Sequence, residues 1–152
     1  MQAAASRLPS PLLVEADLFI SYLTSDHHLV QHFRPVVDAS LEGKLDLLVS
    51  SEVYDDVVAC LRSQEVPLEK VRAFIQDMRA IPHTALPVTL DVAITALDLY
   101  VKHGGSRKLH YFDAFHVATS QLERLPLLTS DRYILEHSSR LGTKTIEVRG
   151  IR

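Results

Sequence analysis

The chain has 152 residues, of which 47% are hydrophobic and 23% charged, and its net charge is −3. This composition predicts one ordinary globular domain with a sizeable core. The single cysteine, Cys60, excludes an internal disulfide and is predicted to be a buried thiol. No apolar run reaches the length of a membrane span, and the N-terminus lacks the apolar region of a signal peptide. We expect a flexible tail at residues 1–10, one domain at 11–152, and a cytoplasmic location.

Charge is unevenly distributed along the sequence. Residues 1–101 contain seven basic and fourteen acidic residues, a net charge of −7, whereas residues 102–152 contain nine and five, a net charge of +4. A basic C-terminal third is compatible with a phosphate-rich partner, although the same side chains are equally expected on any solvated surface. The glycines form no phosphate-binding motif, so a nucleotide-binding loop is not predicted.

Strands and helices alternate in the predicted secondary structure. The predicted strands span residues 12–14, 45–49, 83–88, 127–129 and 144–148, and the first is expected at the centre of the sheet. After a helix that follows the first strand, the predicted helices lie at about 26–42, 50–64, 67–81, 89–103 and 110–125, with a short one after 131. This alternation predicts an α/β fold in which helices cover both faces of a parallel sheet.

Several helix boundaries are predicted from local chemistry. Asp26 and Thr89 are expected N-caps, a serine is expected to cap helix 50–64, and Gly43 should end the second helix. Pro35 should kink that helix. In helix 110–125, apolar residues at three- and four-residue spacing, from Phe112 to Leu122, predict a single buried stripe.

Acidic residues follow three of the predicted strands. Glu15 and Asp17 follow the first, the Glu52–Asp56 cluster follows the second, and Asp131 follows the fourth. Asp113 lies in the first turn of helix 110–125, where the helix dipole favours an ionised carboxylate. The carboxyl ends of parallel strands share one side of a sheet, so we expect these acids to converge on one pocket. A hard divalent ion such as Mg²⁺ or Mn²⁺ would relieve their repulsion, although acids at strand ends are also common helix caps.

The segments around these acids resemble the motifs of PIN-domain nucleases. LLVEADLFISYL resembles the first motif, VSSEVYDDVVACLR the second, and YFDAFHVATSQLERLPLLTSD the third and fourth. The likeness covers roughly residues 11–149. Chains of this size with these motifs resemble VapC-type toxins of VapBC toxin–antitoxin pairs, and stand-alone PIN proteins without toxicity also resemble them. The likeness implies a three-layer α/β/α sandwich with a parallel, five-stranded sheet, Mg²⁺- or Mn²⁺-dependent endoribonuclease activity, an antitoxin partner and frequent homodimers.

The resemblance also implies roles for single residues. Glu15, Asp56, Asp113 and Asp131 match the four catalytic and metal-binding acids, with Asp17 as a further ligand. Glu15 and Asp56 depart from the family pattern, which has aspartate and glutamate there, so the exchange is either a compensated pair or independent drift. Residues expected to support the ligands are Thr129, Ser130 and Glu52.

Basic and aromatic residues of the C-terminal third are candidates for RNA contact through phosphate pairing and stacking. They are Arg107, Lys108, Tyr111 and Arg132. The histidines that bracket Asp113, His110 and His116, are not assigned a catalytic role, because the metal would supply the nucleophile.

Three functions compete. A metal-dependent ribonuclease acting on single-stranded RNA or exposed RNA loops is preferred, and a PIN-fold binding protein whose altered acids no longer support catalysis is the alternative. A receiver-like or phosphatase-like domain is disfavoured, because no lysine follows strand 127–129. Val58, Leu68 and Ile81 predict a homodimer through residues 51–81, unless these side chains cover the chain's own sheet.

Overall fold

The computed structural model describes residues 4–25 and 28–152. Its centre is an entirely parallel five-stranded sheet with the strand order β3-β2-β1-β4-β5. The predicted α/β fold with a parallel sheet is therefore confirmed, and the first strand is central as predicted. The strands are β1 (Leu12–Leu13), β2 (Leu47–Ser50), β3 (Thr84–Leu86), β4 (Leu127–Thr129) and β5 (Thr145–Glu147).

Helices connect the strands and cover both faces of the sheet. They are α1 (Ala16–Thr24), α2 (Val30–Leu41), α3 (Val53–Ser63), α4 (Leu68–Asp77), α5 (Leu90–His103), α6 (Tyr111–Glu123) and α7 (Arg132–Glu136). Short 3-10 turns lie at Ala5–Arg7, Met78–Ala80 and Val148–Gly150. The flexible tail at residues 1–10 stays a prediction; within it, Ala5 packs against the core.

Two apolar cores lie on opposite faces of the sheet. Leu12 and Leu128 belong to the core under α1–α4, whereas Leu13 and Leu127 belong to the core under α5–α7. Successive side chains of a strand point to opposite faces, so each two-residue step along β1 and β4 contributes to both cores. This three-layer arrangement fixes the strand ends from which the acids emerge.

Some of the predicted helix caps are present in the structure and others are not. The hydroxyl of Thr89 accepts a hydrogen bond from the backbone N–H of Val92, and Gly43, with φ +70°, follows the end of α2 as predicted. Asp26, the predicted cap of the second helix, lies outside the described residues. The serine cap predicted for α3 is wrong: the N-cap residue is Glu52, and the Ser50 hydroxyl accepts the Glu52 N–H in a turn before the helix.

Helix α6 is more deeply buried than a single stripe would allow. All seven residues from 114 to 120 are buried, whereas Leu122, predicted on the apolar stripe, is 43% exposed. The reason is that α6 packs against α5, α3 and the strands β2 and β4, so that several of its faces are covered.

The apolar residues predicted to form a dimer surface at 51–81 mostly serve the chain's own core. Ile81 is fully buried and Val58 packs against the core, whereas Leu68 is exposed. A continuous exposed apolar stripe lies instead on α5, where residues spaced by four, three and four positions share one face: Leu90, Ile94, Leu97 and Val101. In the part of the chain that the structure describes, no helix has the length and apolar character needed to cross a membrane.

Candidate active site

A cavity of about 500 Å³ lies at the carboxyl ends of the central strands. Glu15 follows β1 and Asp131 follows β4, the two neighbours between which the order of the strands reverses. Ligands bind at this switch point in open α/β sheets. All five acids predicted as metal ligands line the cavity: Glu15, Asp17, Asp56, Asp113 and Asp131. Ser130, predicted to support the ligands, and Arg132, predicted to contact RNA, line it too.

Glu15 is the N-cap residue of α1 and is only 6% exposed. Its Oε2 accepts a hydrogen bond of 3.1 Å from the hydroxyl of Thr129, whereas its Oε1 is buried and has no hydrogen-bond partner among the described residues. Burial, and then the charges of Asp113 and Asp17, raise the pKa of Glu15 well above its usual value. One carboxylate oxygen is therefore anchored while the other is left without a donor.

Asp17, in the first turn of α1, shows the same arrangement. Its Oδ2 accepts a 3.0 Å hydrogen bond from the hydroxyl of Ser130, and its Oδ1 is buried without a partner in the described part of the chain. Burial raises the pKa of Asp17 to about 6, although the bond from Ser130 opposes this rise. Ser130 and Thr129 thus donate to carboxylates of the cavity.

Asp113 lies in the first turn of α6, as predicted. Burial raises the pKa of its carboxyl group to about 6; His116 opposes the rise, and the charges of Asp56 and Asp131 add to it. Removal from water and nearby like charges therefore raise this pKa, although the carboxyl group lies at the N-terminus of a helix.

Asp56 is held by a residue to which the sequence analysis gave no role. Nε2 of His116, a fully buried side chain on α6, lies 3.0 Å from Oδ2 of Asp56 on α3. One ligand atom from each of Asp56, Asp113 and His116 lies within 4.8 Å of the other two. The position of His116 three residues after Asp113 was the available signal, because residues at this spacing share a helix face.

Asp131 is a helix cap and also lines the cavity. Its Oδ1 accepts a 2.9 Å hydrogen bond from the backbone N–H of Ile134 in α7. Its own backbone N–H donates to the hydroxyl of Thr129 at 3.1 Å. Thr129 therefore connects Asp131 to Glu15 through a single side chain. The two interpretations of Asp131 are compatible, since a cap needs only one of its oxygens.

The remaining candidates lie around or outside the cavity. Glu52 does not line it, and burial, with Asp55 next, raises the pKa of its carboxyl group. Arg107, Lys108 and Tyr111 are exposed between the end of α5 and the start of α6, and the ring of Tyr111 packs edge-on against Tyr100.

The cavity is also lined by Cys60, one turn after Asp56 on α3, and by Gln64, the C-cap residue of that helix. Cys60 is partly exposed, so the prediction of a buried thiol is wrong. Cys60 is four residues after Asp56 and Gln64 is four residues after Cys60, and this spacing was the available signal that the three side chains share a helix face.

The donor set of the cavity suits a hard divalent cation. Its five carboxylates offer oxygen ligands, and two buried oxygens, on Glu15 and Asp17, have no donor among the described residues. In those same residues, no lysine or arginine forms an ion pair with the cavity acids. Mg²⁺ and Mn²⁺ prefer such ligands. The residues present therefore fit the metal that the sequence suggested.

Comparisons of the whole fold and sequence place the chain among known proteins. A search of curated proteins found no match. A chain of the Rickettsia felis VapBC2 complex bound to promoter DNA has a TM-score of 0.63 and 10% identity, over 90% of this chain and 97% of that one. A chain of the DNA-bound VapBC of Salmonella typhimurium has a TM-score of 0.59 and 13% identity, over 92% of this chain and 99% of that one. A chain of VapBC-5 of Mycobacterium tuberculosis has a TM-score of 0.57 and 14% identity, over 91% of this chain and 99% of that one.

At these identities the structural likeness establishes the fold alone. The sequence itself matches the family model of the PIN domain over residues 12–138. This match runs from β1 to beyond α7 and includes all five acids of the cavity. The chain therefore belongs to the PIN domain family.

Proposed function

We propose that this protein is a divalent-metal-dependent endoribonuclease that hydrolyses phosphodiester bonds of single-stranded RNA. The observation that carries the proposal is the single cavity lined by five carboxylates, two of which have a buried oxygen without a donor among the described residues. Membership of the PIN domain family and the resemblance of its motifs to those of PIN-domain nucleases support the same activity.

Mg²⁺ or Mn²⁺ would be held by the five acids of the cavity, which are Glu15, Asp17, Asp56, Asp113 and Asp131. Bound there, the ion activates water and neutralises charge that develops on the phosphate. The chain's own contribution is to orient the ligands: Thr129 holds Glu15, Ser130 holds Asp17, and Asp131 is fixed as the cap of α7. Arg132, exposed at the cavity, is placed to pair with a phosphate of the RNA.

RNA would approach over the basic C-terminal third. Without the charges of Glu15, Asp56, Asp113 and Asp131, the net charge of −3 becomes +1. Phosphate contacts release counterions, so binding should weaken as salt is added. In an Asp113→Asn background, which would prevent cleavage, Arg132→Ala should reduce the slope of log affinity against log salt by about 1. An RNA affinity that does not change with ionic strength would contradict this mode of recognition.

We further propose that the protein is the toxin of a VapBC-type pair, acts in the cytoplasm and forms a homodimer. The solved structures that share its fold include VapBC complexes, which supports an antitoxin partner. The exposed stripe on α5 supports self-association through that helix. Leu97→Asp should then lower the mass in solution to that of a monomer, whereas Leu68→Asp on α4 should leave it unchanged. If Leu68→Asp lowers the mass and Leu97→Asp does not, the dimer surface predicted at residues 51–81 would be supported instead.

The activity is tested with labelled single-stranded RNA, duplex RNA and single-stranded DNA. We expect cleavage of the single-stranded RNA with Mn²⁺ or Mg²⁺, none with a chelator, and none by Asp113→Asn. A crystal soaked in Mn²⁺ should show anomalous density among the five acids. If the protein binds no metal and cleaves none of the substrates, the proposal fails.

A PIN-fold binding protein without catalysis is the second candidate. It is favoured by the two departures from the family pattern, Glu15 and Asp56. This function predicts RNA or protein binding that is unchanged by a chelator and by Asp113→Asn. Metal-dependent cleavage by the wild-type chain would exclude it.

A further inference from the structure

His116 joins the two helices that carry central acids of the cavity. It is fully buried on α6, and its Nε2 lies 3.0 Å from Oδ2 of Asp56 on α3. Its second ring nitrogen, Nδ1, is buried and has no hydrogen-bond partner in the described part of the chain. The state of these two nitrogens decides what the ring contributes.

One possible role is that of a metal ligand. A neutral ring that binds a metal through Nε2 must carry its hydrogen on Nδ1. Metal-binding histidines almost always donate this second N–H to a carboxylate, a carbonyl or a water. Nδ1 of His116 has no such acceptor among the described residues, so ligation through Nε2 would leave a buried donor unsatisfied.

The other role is that of a hydrogen-bond donor. Nδ1 then carries no hydrogen, so the one N–H of the neutral ring has an acceptor and only a lone pair lacks a partner among the described residues. With the hydrogen on Nε2, the ring donates to Asp56 at an ordinary N–H···O distance. The same pattern recurs at two other acids of the cavity, since the hydroxyls of Thr129 and Ser130 donate to Glu15 and Asp17. Each of these three carboxylates has one oxygen held by a donor from another element of the fold.

We propose that His116 is a positioning residue, whose Nε2–H fixes the carboxylate of Asp56 for metal binding and which does not itself bind the metal. The proposal rests on the proposed function, in which Asp56 is a ligand. Asp56 is one methylene shorter than the glutamate that the family resemblance places there. A donor that holds Oδ2 restricts the rotation of this short side chain and leaves Oδ1 for the ion.

Two substitutions in the full chain separate the roles. His116→Gln keeps an amide N–H donor near the position of Nε2, whereas His116→Leu has a similar size and no donor. Isothermal titration calorimetry of the metal-free proteins measures Mn²⁺ affinity, and circular dichroism confirms folding. We expect His116→Leu to weaken Mn²⁺ binding by about 10- to 100-fold. His116→Gln should recover most of this loss.

Two spectroscopic measurements on the wild-type chain settle the question even if the leucine variant does not fold. Pulsed EPR of bound Mn²⁺ should show no coupling to a directly bound nitrogen. In the metal-free protein, ¹⁵N NMR should place a hydrogen on Nε2 of His116.

Four outcomes would overturn the proposal. They are nitrogen coupling to the bound Mn²⁺, a hydrogen on Nδ1 alone, equal losses in the two variants, or no loss in the leucine variant. If the wild-type chain binds no Mn²⁺ while Nε2 carries a hydrogen, the proposed function fails, but the hydrogen bond from His116 to Asp56 is supported.

Discussion

Replacing Asp113 by asparagine should stabilise the metal-free protein at neutral pH, although it removes a proposed metal ligand. Burial raises the pKa of Asp113 from 3.8 to about 6, and the charges of Asp56 and Asp131 add to the rise. An acid whose pKa is raised by folding binds its proton more tightly in the folded state. The favourable contribution of Asp113 to the free energy of unfolding is therefore present below pH 3.8 and is lost as the pH rises through about 6.

The size of the effect follows from this change in pKa. A change of one unit in the pKa corresponds to about 1.36 kcal/mol, so the ionised Asp113 destabilises the metal-free fold by about 3 kcal/mol at most. Asparagine cannot ionise, but it alters local hydrogen bonds, and we expect a net gain of about 1–3 kcal/mol above pH 7. For a domain of this length, that gain corresponds to a rise in Tm of about 2–12 °C.

Thermal unfolding in a chelator, from about pH 4 to pH 8, measures this difference. The Tm of Asp113→Asn minus that of the wild type should grow as the pH rises. Asp98→Asn, an exposed change on α5, serves as the control and should show no such trend. Saturating Mn²⁺ at high pH should stabilise the wild type more than the variant, since ligand binding stabilises the folded state. A difference in Tm that is constant across the pH range would refute the reasoning.

Three further experiments test residues of the cavity. Thr129→Val removes the donor to Glu15 and an acceptor for the N–H of Asp131; it should lower the free energy of unfolding by about 1–3 kcal/mol in urea, and an effect no larger than that of Thr84→Val on the exposed edge strand would contradict this. Asp131→Asn should keep the cap on α7, whereas Asp131→Ala should cost about 1 kcal/mol; both should weaken Mn²⁺ binding, and wild-type affinity in the asparagine variant would exclude this residue as a ligand. Glu15→Asp and Asp56→Glu should have additive effects on Mn²⁺ affinity, and recovery in the double variant would show that the two acids compensate each other.

The convergence of the acids could be predicted from the sequence because it depends on topology. Apolar runs at residues 12–14 and 127–129 predicted buried strands, and parallel strands bring their carboxyl ends to one side of a sheet. Glu15 comes directly after the first run and Asp131 two residues after the second, so their meeting required no knowledge of side-chain packing. The structure places both in the same cavity.

The contacts behind the acids could not be predicted, because each depends on packing between distant segments. The bond from Thr129 to Glu15 spans 114 residues, and that between His116 and Asp56 spans 60. The burial of α6 on several faces also results from the position of that helix between α5, α3 and the sheet. Periodicity reports one buried face of a helix and is uninformative where neighbours cover several.

The exchange of acids at Glu15 and Asp56 is better explained by separate anchors than by mutual compensation. The largest of the charges that raise the pKa of Glu15 is that of Asp113, whose own pKa is raised in turn by Asp56. Asp113 thus interacts with both, and each has its own donor: Thr129 at the end of β4 for Glu15, and His116 on α6 for Asp56. If the longer acid were balanced by the shorter one, the two would have to face each other across one ion. Donors from different elements instead fit each side chain to its own length, so a change at one position need not be corrected at the other.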